Sequence, residues 1–504
     1  MSRFSSRDVY MIGIGGCGMS GLARLLAARG ARTLGSESVR SETTGALESE
    51  GVRVSFEQEA GCLPDSCDLV VASAAIKPDH PEMLAADARG IPAMTYAEAL
   101  GTLMRDHTGV SIAGTHGKST TTAMLGCLLV DCGLDPSVIV GATCAQLGTG
   151  ACAERRGVPV GHRVGAFKIP FGPLKGLPGL LIAEACEFNR SFHNQRPRIG
   201  YISNVEADHL DVYNSLDGVV EAFAEFARGI APSRDGGVLL IGHDGAHRGV
   251  VTAGLDCEVQ TIGWSPEADW CVRFDPASRG VTLLRGSRAI ATWTMLIPGA
   301  HNAMNSAAAC ALAVLLGADP GVCSASLSRF RGVDRRSQYL GERRLADGTG
   351  SVRVWDDYGH HPTEIDATLR ALRDFERIDE QGGRLVCVFQ PHQHSRTRFL
   401  LNEFATAFGS ADVVIVPQIY FVRDSIIEKQ KVSSSDLVDR LRTLGVRAMH
   451  LHPFEAIVEQ LGSLCGPRDV LVVMGAGPVW KVAHGYMGSA TGSAVGGLHA
   501  GSAH

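Results

Sequence analysis

The chain has 504 residues, 45% of them hydrophobic and 20% charged, with a formal net charge of -6. That length exceeds one ordinary core and predicts about three domains, while the mildly acidic balance offers no basic stripe and argues against nucleic acid as a partner. No apolar run approaches the roughly 18 residues of a membrane span, and the fourteen cysteines form neither a C-x-x-C pair nor an evenly spaced framework, so a reduced, cytoplasmic, non-membrane protein is expected.

The first segment, 1–108, opens with an apolar strand over 9–14 and the run GIGGCGMSGLARLLAARG. Gly13, Gly15 and Gly18 fit G-x-G-x-x-G ahead of an amphipathic helix, and Glu37 follows the next short strand, where a dinucleotide fold places an acidic residue against a ribose. The pattern predicts a Rossmann-like domain. The pattern by itself says little about which ligand binds, and the lesser alternative is a tight strand–helix turn without phosphate.

The second segment, 109–331, contains SIAGTHGKSTTTAML at 111–125. An apolar strand, a glycine turn, a lysine, a Ser/Thr run and a helix make the recipe for cradling phosphate. Convergent N–H groups and the helix N-terminus meet the anion, Lys118 meets its outer oxygens, and Ser119 or Thr120 reaches Mg²⁺. The loop is the shorter G-x-x-G-K-S, since Ile112 stands where the longer motif has glycine. Two later apolar runs end in acidic clusters, one with Glu184 and Glu187, the other with Asn204, Glu206, Asp208 and His209. At the carboxyl ends of strands such carboxylates can complete an Mg²⁺ shell, or serve only as turn and cap residues. His209 is not a preferred Mg²⁺ ligand by composition. Asn302 and Asn305 open a long apolar helix and would either bond a purine or cap the helix. The Gly/Pro-rich stretch 152–179 reads as a long loop or insertion.

The third segment, 332–488, repeats the strand–helix alternation, and three of its strands end in polar clusters: Asp356, Asp357, His360 and His361; His392, His394 and Arg396; Gly475 to Gly477. Several such ends together read as a surface facing a nucleotide across a cleft. The Gly/Ser/Ala-rich 489–504 reads as a disordered tail.

GTHGKSTTT, ADHLD, GAHNAMN, FRGVDRR, DDYGHHPTE and FQPHQHSRT stand in this order along the chain. Together they resemble the Mur ligase family, and the likeness runs from Tyr10 to Lys481. GIGGCGMSGLA and DDYGHHPTE are most similar to the alanine-adding branch. The resemblance implies an α/β fold of three domains: a Rossmann-like N-terminal domain (1–108) for a UDP-sugar, a central P-loop ATPase domain with a mainly parallel sheet (109–331), and a Rossmann-like C-terminal domain (332–488) on the amino-acid side. It further implies ATP and Mg²⁺ as cofactors, UDP-N-acetylmuramate and L-alanine as substrates, and a monomer or homodimer. By motif, Gly114, Thr115, His116, Gly117, Lys118, Ser119 and Thr120 would hold ATP phosphates, and Asn302, Arg336 and Asp357 other parts of the nucleotide. Ser119, Glu184 and His209 would be metal ligands. Gly13, Gly15, Gly16, Gly18, Met19, Ser20 and Glu37 would meet the UDP-sugar. Lys118, His209, His360 and Arg396 would carry the chemistry.

The chain departs from the family pattern at three places. Glu37 replaces the usual Asp, EACEFNRSF replaces EADESDASF so that Cys186 stands for an acidic residue, and 152–179 is long. No lysine occurs between Lys175 and Lys429, so the carbamylated lysine used by later-acting members is missing, which suits the alanine-adding branch. A tripeptide-recycling member of the family and a non-catalytic nucleotide-binding homologue are the competing expectations.

Overall fold

The computed structural model describes residues 3–154, 157–422 and 424–488; the expected tail at 489–504 lies outside them. Three sheets follow one another along the chain. The first joins β1 (Asp8–Ile12), β2 (Arg32–Ser36), β3 (Arg53–Ser55), β4 (Leu69–Ala72) and β5 (Ala93–Thr95), all parallel, in the order β3-β2-β1-β4-β5. Val9 to Ile12 are buried on both faces, as a central parallel strand requires. β1 ends two residues earlier than the apolar run suggests, because Gly13 leaves the strand at φ +77°.

The central sheet has ten strands: β6 (Thr108–Ala113), β7 (Ser137–Cys144), β8 (Val160–Arg163), β9 (Leu180–Glu184), β10 (Ile199–Ile202), β11 (Val238–Gly242), β12 (Glu258–Gly263), β13 (Trp270–Asp275), β14 (Gly280–Arg285) and β15 (Arg288–Thr294). β6 is flanked by β10 and β9, both parallel to it. The antiparallel pairs lie at the two ends, β13-β14-β15 and β7-β8. Across this sheet the helix Lys118–Asp131 packs on the helix Ala300–Leu315. Alanines 307 to 309 and 311 permit the close approach, and the fully buried Leu125, Leu128 and Leu129 are each worth about 1.5–3 kcal/mol.

The third sheet joins β16 (Gln338–Arg344), β17 (Ser351–Asp357), β18 (Leu385–Phe389), β19 (Val413–Val416), β20 (Arg447–His450) and β21 (Val470–Met474) in the order β16-β17-β21-β18-β19-β20. Only β16 is antiparallel. All three sheets are thus mainly parallel α/β, as the alternating pattern implies.

The stretch 152–179 is not a plain loop. It carries β8, antiparallel to β7, and a bridge between Lys168 and Pro178. It covers the helix Cys17–Ala28 of the first sheet: a Cβ on Gly21 would come within 2.9 Å of His162, and the Arg29 guanidinium lies 4.3 Å over the Phe167 ring. Ile139, Leu181 and Ala183 of the central sheet join the same core. The first two sheets therefore share an apolar interface.

Candidate active site

β6 delivers the phosphate loop, and its geometry follows from two glycines. Gly114 has φ +131° and Gly117 φ +85°; a Cβ on Gly117 would also meet Asn305 Oδ1 at 2.4 Å. Conformation and space both demand glycine there. The helix then starts at Lys118, so its first N–H groups face the loop.

Lys118 folds back on its own loop. Its Nζ donates to the carbonyls of Gly114 (2.6 Å) and Thr115 (3.0 Å), and to Glu187 at 2.9–3.0 Å. Burial works against the ammonium, but the Glu187, Cys186 and Glu184 side chains more than offset it and raise its pKa above the usual lysine value. The cation is held on acceptors that a phosphate can replace.

Ser119 Oγ donates to Glu184 Oε1 at 3.0 Å, and the other Glu184 oxygen accepts the Gly141 N–H at 2.7 Å. His209, expected beside Glu184, is grouped differently. Its Nε2 lies 3.7 Å from Asp208 Oδ2 and 4.0 Å from Glu187 Oε1, and ligand atoms of Glu187, Asp208 and His209 sit within 4.8 Å of one another. His209 takes a left-handed φ of 51° at the start of the short helix Leu210–Tyr213. Burial lowers its pKa, so the ring is neutral near pH 7. Ser119, Glu184, Glu187, Asp208 and His209 nevertheless line one cavity of about 470 Å³, which reaches Cys17 on one side and Tyr358, His360 and Arg396 on the other.

The third sheet's loops close over the second through four polar contacts. Arg396 Nη2 donates to Asp208 at 2.7 Å in a pair less than 10% exposed on either side. Thr363 Oγ1 donates to Glu206 at 2.8 Å, His361 Nε2 meets the Ala207 carbonyl at 3.3 Å, and His116 Nδ1 meets Glu364 at 3.2 Å. His360 sits beneath them with Nδ1 on the Tyr358 carbonyl, held neutral with a pKa lowered to about 4, chiefly by burial.

A second cleft of about 390 Å³ lies across the phosphate loop, walled by Trp264, Asn302, Asn305, Arg336 and Asp357. Asn302 does not cap its helix. The helix begins at Ala300 behind Gly299, and at its third position Asn302 turns Nδ2 back to donate to the Pro298 carbonyl at 2.8 Å. Both Asp357 oxygens already accept N–H groups, from Ser337 and Gly359 at 2.6 Å each. Asp357 therefore shapes this turn as well as lining the cleft. The Arg336 guanidinium lies 3.6 Å from Glu364 and 5.0 Å over the Tyr358 ring.

In the first sheet, Gly15 N–H donates to Glu37 Oε2 at 2.9 Å, so that carboxylate occupies the place where the turn would receive an anion. Gly13 makes the turn, Gly16 precedes the helix, and Gly18 admits the Tyr96 ring at 2.9 Å from a built Cβ. Met19 and Ser20, expected at the sugar nucleotide, stand in the first turn of the helix behind these glycines with their side chains buried, at 4% and 3% exposure. Met19 belongs to the apolar core and the Ser20 hydroxyl donates to the Cys17 carbonyl, because helical periodicity turns this face inward. Glu364 was not singled out from sequence, although it closes the DDYGHHPTE stretch, and neither were the pairings that Glu187, Glu206 and Asp208 make. For Glu187, Glu206 and Asp208 the sequence signal was an acidic residue after a strand, and for Glu364 an acidic residue at the third position of a Pro-started helix.

Profiles of three parts of one family match the chain: "Mur ligase family, catalytic domain" over 8–108, "Mur ligase middle domain" over 112–313 and "Mur ligase, glutamate ligase domain" over 335–477. Among curated relatives, the UDP-N-acetylmuramate–L-alanine ligase of Agathobacter rectalis is 36% identical over 94% of this chain and 96% of its own length. That of Rubrobacter xylanophilus is 37% identical over 94% and 97%. Among solved structures, the UDP-N-acetylmuramate-alanine ligase of Thermotoga maritima superposes with a TM-score of 0.72 at 24% identity, covering 96% of this chain and 98% of its own. A murein peptide ligase of Psychrobacter arcticus superposes with a TM-score of 0.69 at 22% identity, covering 97% and 100%.

Proposed function

The chain belongs to the Mur ligase family, and we propose that it joins L-alanine to the lactyl carboxylate of UDP-N-acetylmuramate with cleavage of ATP to ADP and phosphate, a step of peptidoglycan precursor synthesis. The observation that carries this reading is Lys118, held at the seam of the nucleotide-sized cleft and the larger three-sided cavity. The identity of 33–37% to curated alanine ligases over nearly the whole chain supports the choice of amine.

The carboxylate oxygen attacks the γ-phosphorus, releasing ADP and leaving an acyl phosphate. The neutral amine of alanine then adds to the acyl carbon, and the tetrahedral adduct expels phosphate to leave the amide. Two anions must approach in the first step. Lys118 offsets their repulsion as it exchanges the Gly114 and Thr115 carbonyls for phosphate oxygens, and the loop N–H groups add fixed dipoles. Ser119 and Glu184, a hydroxyl and a carboxylate 3.0 Å apart, are hard oxygen donors that fit Mg²⁺, and Glu187 and His209 stand beside them. Bound there, the ion would supply further charge neutralisation for the phosphates. Arg396 and His360 face the same cavity from the third domain, and the closure they mark keeps water from the acyl phosphate. Glu37, seated on Gly15 N–H, would have to share that place with the UDP part. Among the described residues no helix is long and apolar enough to cross a membrane, and all fourteen cysteines are free; we place the protein in the cytoplasm, as a monomer or homodimer.

The test is phosphate release by purified protein with ATP, Mg²⁺, UDP-N-acetylmuramate and each amino acid in turn. Release that needs both the UDP-sugar and L-alanine is expected. A requirement for a tripeptide in place of alanine would make it the recycling ligase, and ATP binding without turnover would make it a non-catalytic homologue.

A further inference from the structure

The helix Pro362–Phe375 begins with a capping arrangement in which Glu364 occupies the third position. Its two oxygens have different tasks. Oε2 accepts the N–H groups of His360 (3.0 Å) and His361 (3.3 Å), which is ordinary helix capping. Oε1 takes no part in the cap. It reaches out of its own domain to His116 Nδ1 at 3.2 Å in the phosphate loop, with Arg336 Nη1 at 3.6 Å. Glu364 lines both cavities, so it stands on the wall between the nucleotide cleft and the acceptor side.

His116 can reach Glu364 only with the loop in its present form. The His116 N–H donates to Asn204 Oδ1 at 2.9 Å and its carbonyl accepts the Ser203 hydroxyl at 2.5 Å, both from the segment after β10. The neighbouring His361 and Glu206 bring three metal-type ligand atoms together with His116. Their hydrogen bonds assign them otherwise. His361 Nδ1 accepts the Thr363 N–H, which leaves the proton on Nε2 to donate to the Ala207 carbonyl, and Glu206 accepts from Thr363. That cluster is a hydrogen-bonded seam between domains; Glu206 holds the loop from within the central domain, with its N–H on Thr115 Oγ1 at 2.9 Å and its carboxylate 3.5 Å from His116 Nε2, and Glu364 is the carboxylate that holds it from the third domain.

We infer that Glu364 is a positioning residue for phosphoryl transfer, a carboxylate through which closure of the third domain fixes His116, and with it the phosphate loop, against the His360–His361 turn. The inference rests on the ligase reading above. The raised pKa of His116, brought to about 9 as the Glu364 and Glu206 carboxylates outweigh burial, makes the contact a charged one.

Glu364→Gln isolates this role, because a glutamine oxygen still accepts the two capping N–H groups while the charge facing His116 is gone. Two readouts are paired. In hydrogen exchange with a non-hydrolysable ATP analogue, residues 113–118 should gain protection in both proteins, but residues 359–364 only in the wild type. In turnover, kcat should fall at least about tenfold, on the scale of losses from misplaced reacting groups, with KM for ATP changed less than about threefold. His116→Gln should give the same split, and the double variant no more loss than either single one. Protection of 359–364 in Glu364→Gln equal to wild type, multiplicative losses in the double variant, or a defect confined to KM would each overturn the inference. If the wild type itself fails to ligate, the exchange experiment still decides the positioning contact, and only the ligase reading falls.

Discussion

Lys118→Met removes the phosphate-loop cation and leaves a nearly buried carboxylate behind. The Lys118 side chain is 13% and that of Glu187 4% exposed, with 2.9 Å between them. Removing one partner of such a pair costs about 3–5 kcal/mol, because the remaining charge has lost its counter-ion without regaining water. Two hydrogen bonds to Gly114 and Thr115 go as well, though Thr115 lines the cavity, where water can replace the ammonium on its carbonyl. The central domain should therefore unfold at lower urea, reported by the buried Trp270 and Trp293. Lys118→Met/Glu187→Gln should recover most of the lost stability and none of the activity, since the charge conflict is gone but the phosphate has no cation. The raised lysine pKa places the pair's contribution fully below the unfolded value near 10.5, to be lost only as pH rises beyond it. The difference between wild type and Lys118→Met should thus be constant between pH 6 and 9. A single variant as stable as wild type, or a double variant less stable than the single, would refute the reasoning.

Acid should weaken the fold in a defined window. Burial holds His107, His162, His301 and His360 near pKa 4, below their usual value of 6.5, so the unfolded chain binds protons that the folded one refuses. Stability is unaffected above about 6.5 and falls progressively toward 4, with each ring contributing up to about 3 kcal/mol, and a urea series across that range measures it. His116 runs the other way: with a folded pKa of about 9, its contribution is complete below about 6.5 and fades as pH rises through 9. A fall in kcat across that interval, absent in His116→Gln, is expected. Gly117→Ala should cost at least about 1–2 kcal/mol from the left-handed backbone alone and displace Asn305, lowering ATP affinity in a fluorescent-nucleotide titration. Glu184→Gln should raise the Mg²⁺ concentration giving half-maximal turnover by about tenfold or more, while stability without Mg²⁺, measured by melting, stays close to wild type.

The order of motifs along the chain determined a great deal. Alternating apolar strands and amphipathic helices are local periodicities, so three mainly parallel sheets were legible, as was the phosphate loop, whose glycines, lysine and hydroxyls are consecutive. β16 and β20 have no strand signal of their own because edge strands carry charge and little apolar pattern: β16 reads QYLGERR and has no fully buried residue. β8 was hidden in 152–179 because a short hairpin that packs on another domain has no periodicity of its own. That the Met19 and Ser20 side chains face inward was not legible for a related reason, since a motif tells which residues are adjacent in sequence but not which face of the helix meets the core. That the His209 ring lies nearest Asp208 and Glu187 within the cavity it shares with Glu184 could be seen only in the folded chain. The cross-domain pairs, Arg396 with Asp208 and Glu364 with His116, join residues 188 and 248 positions apart. Sequence supplies both charges of such a pair; only closure of one sheet over another takes them out of water and makes them partners.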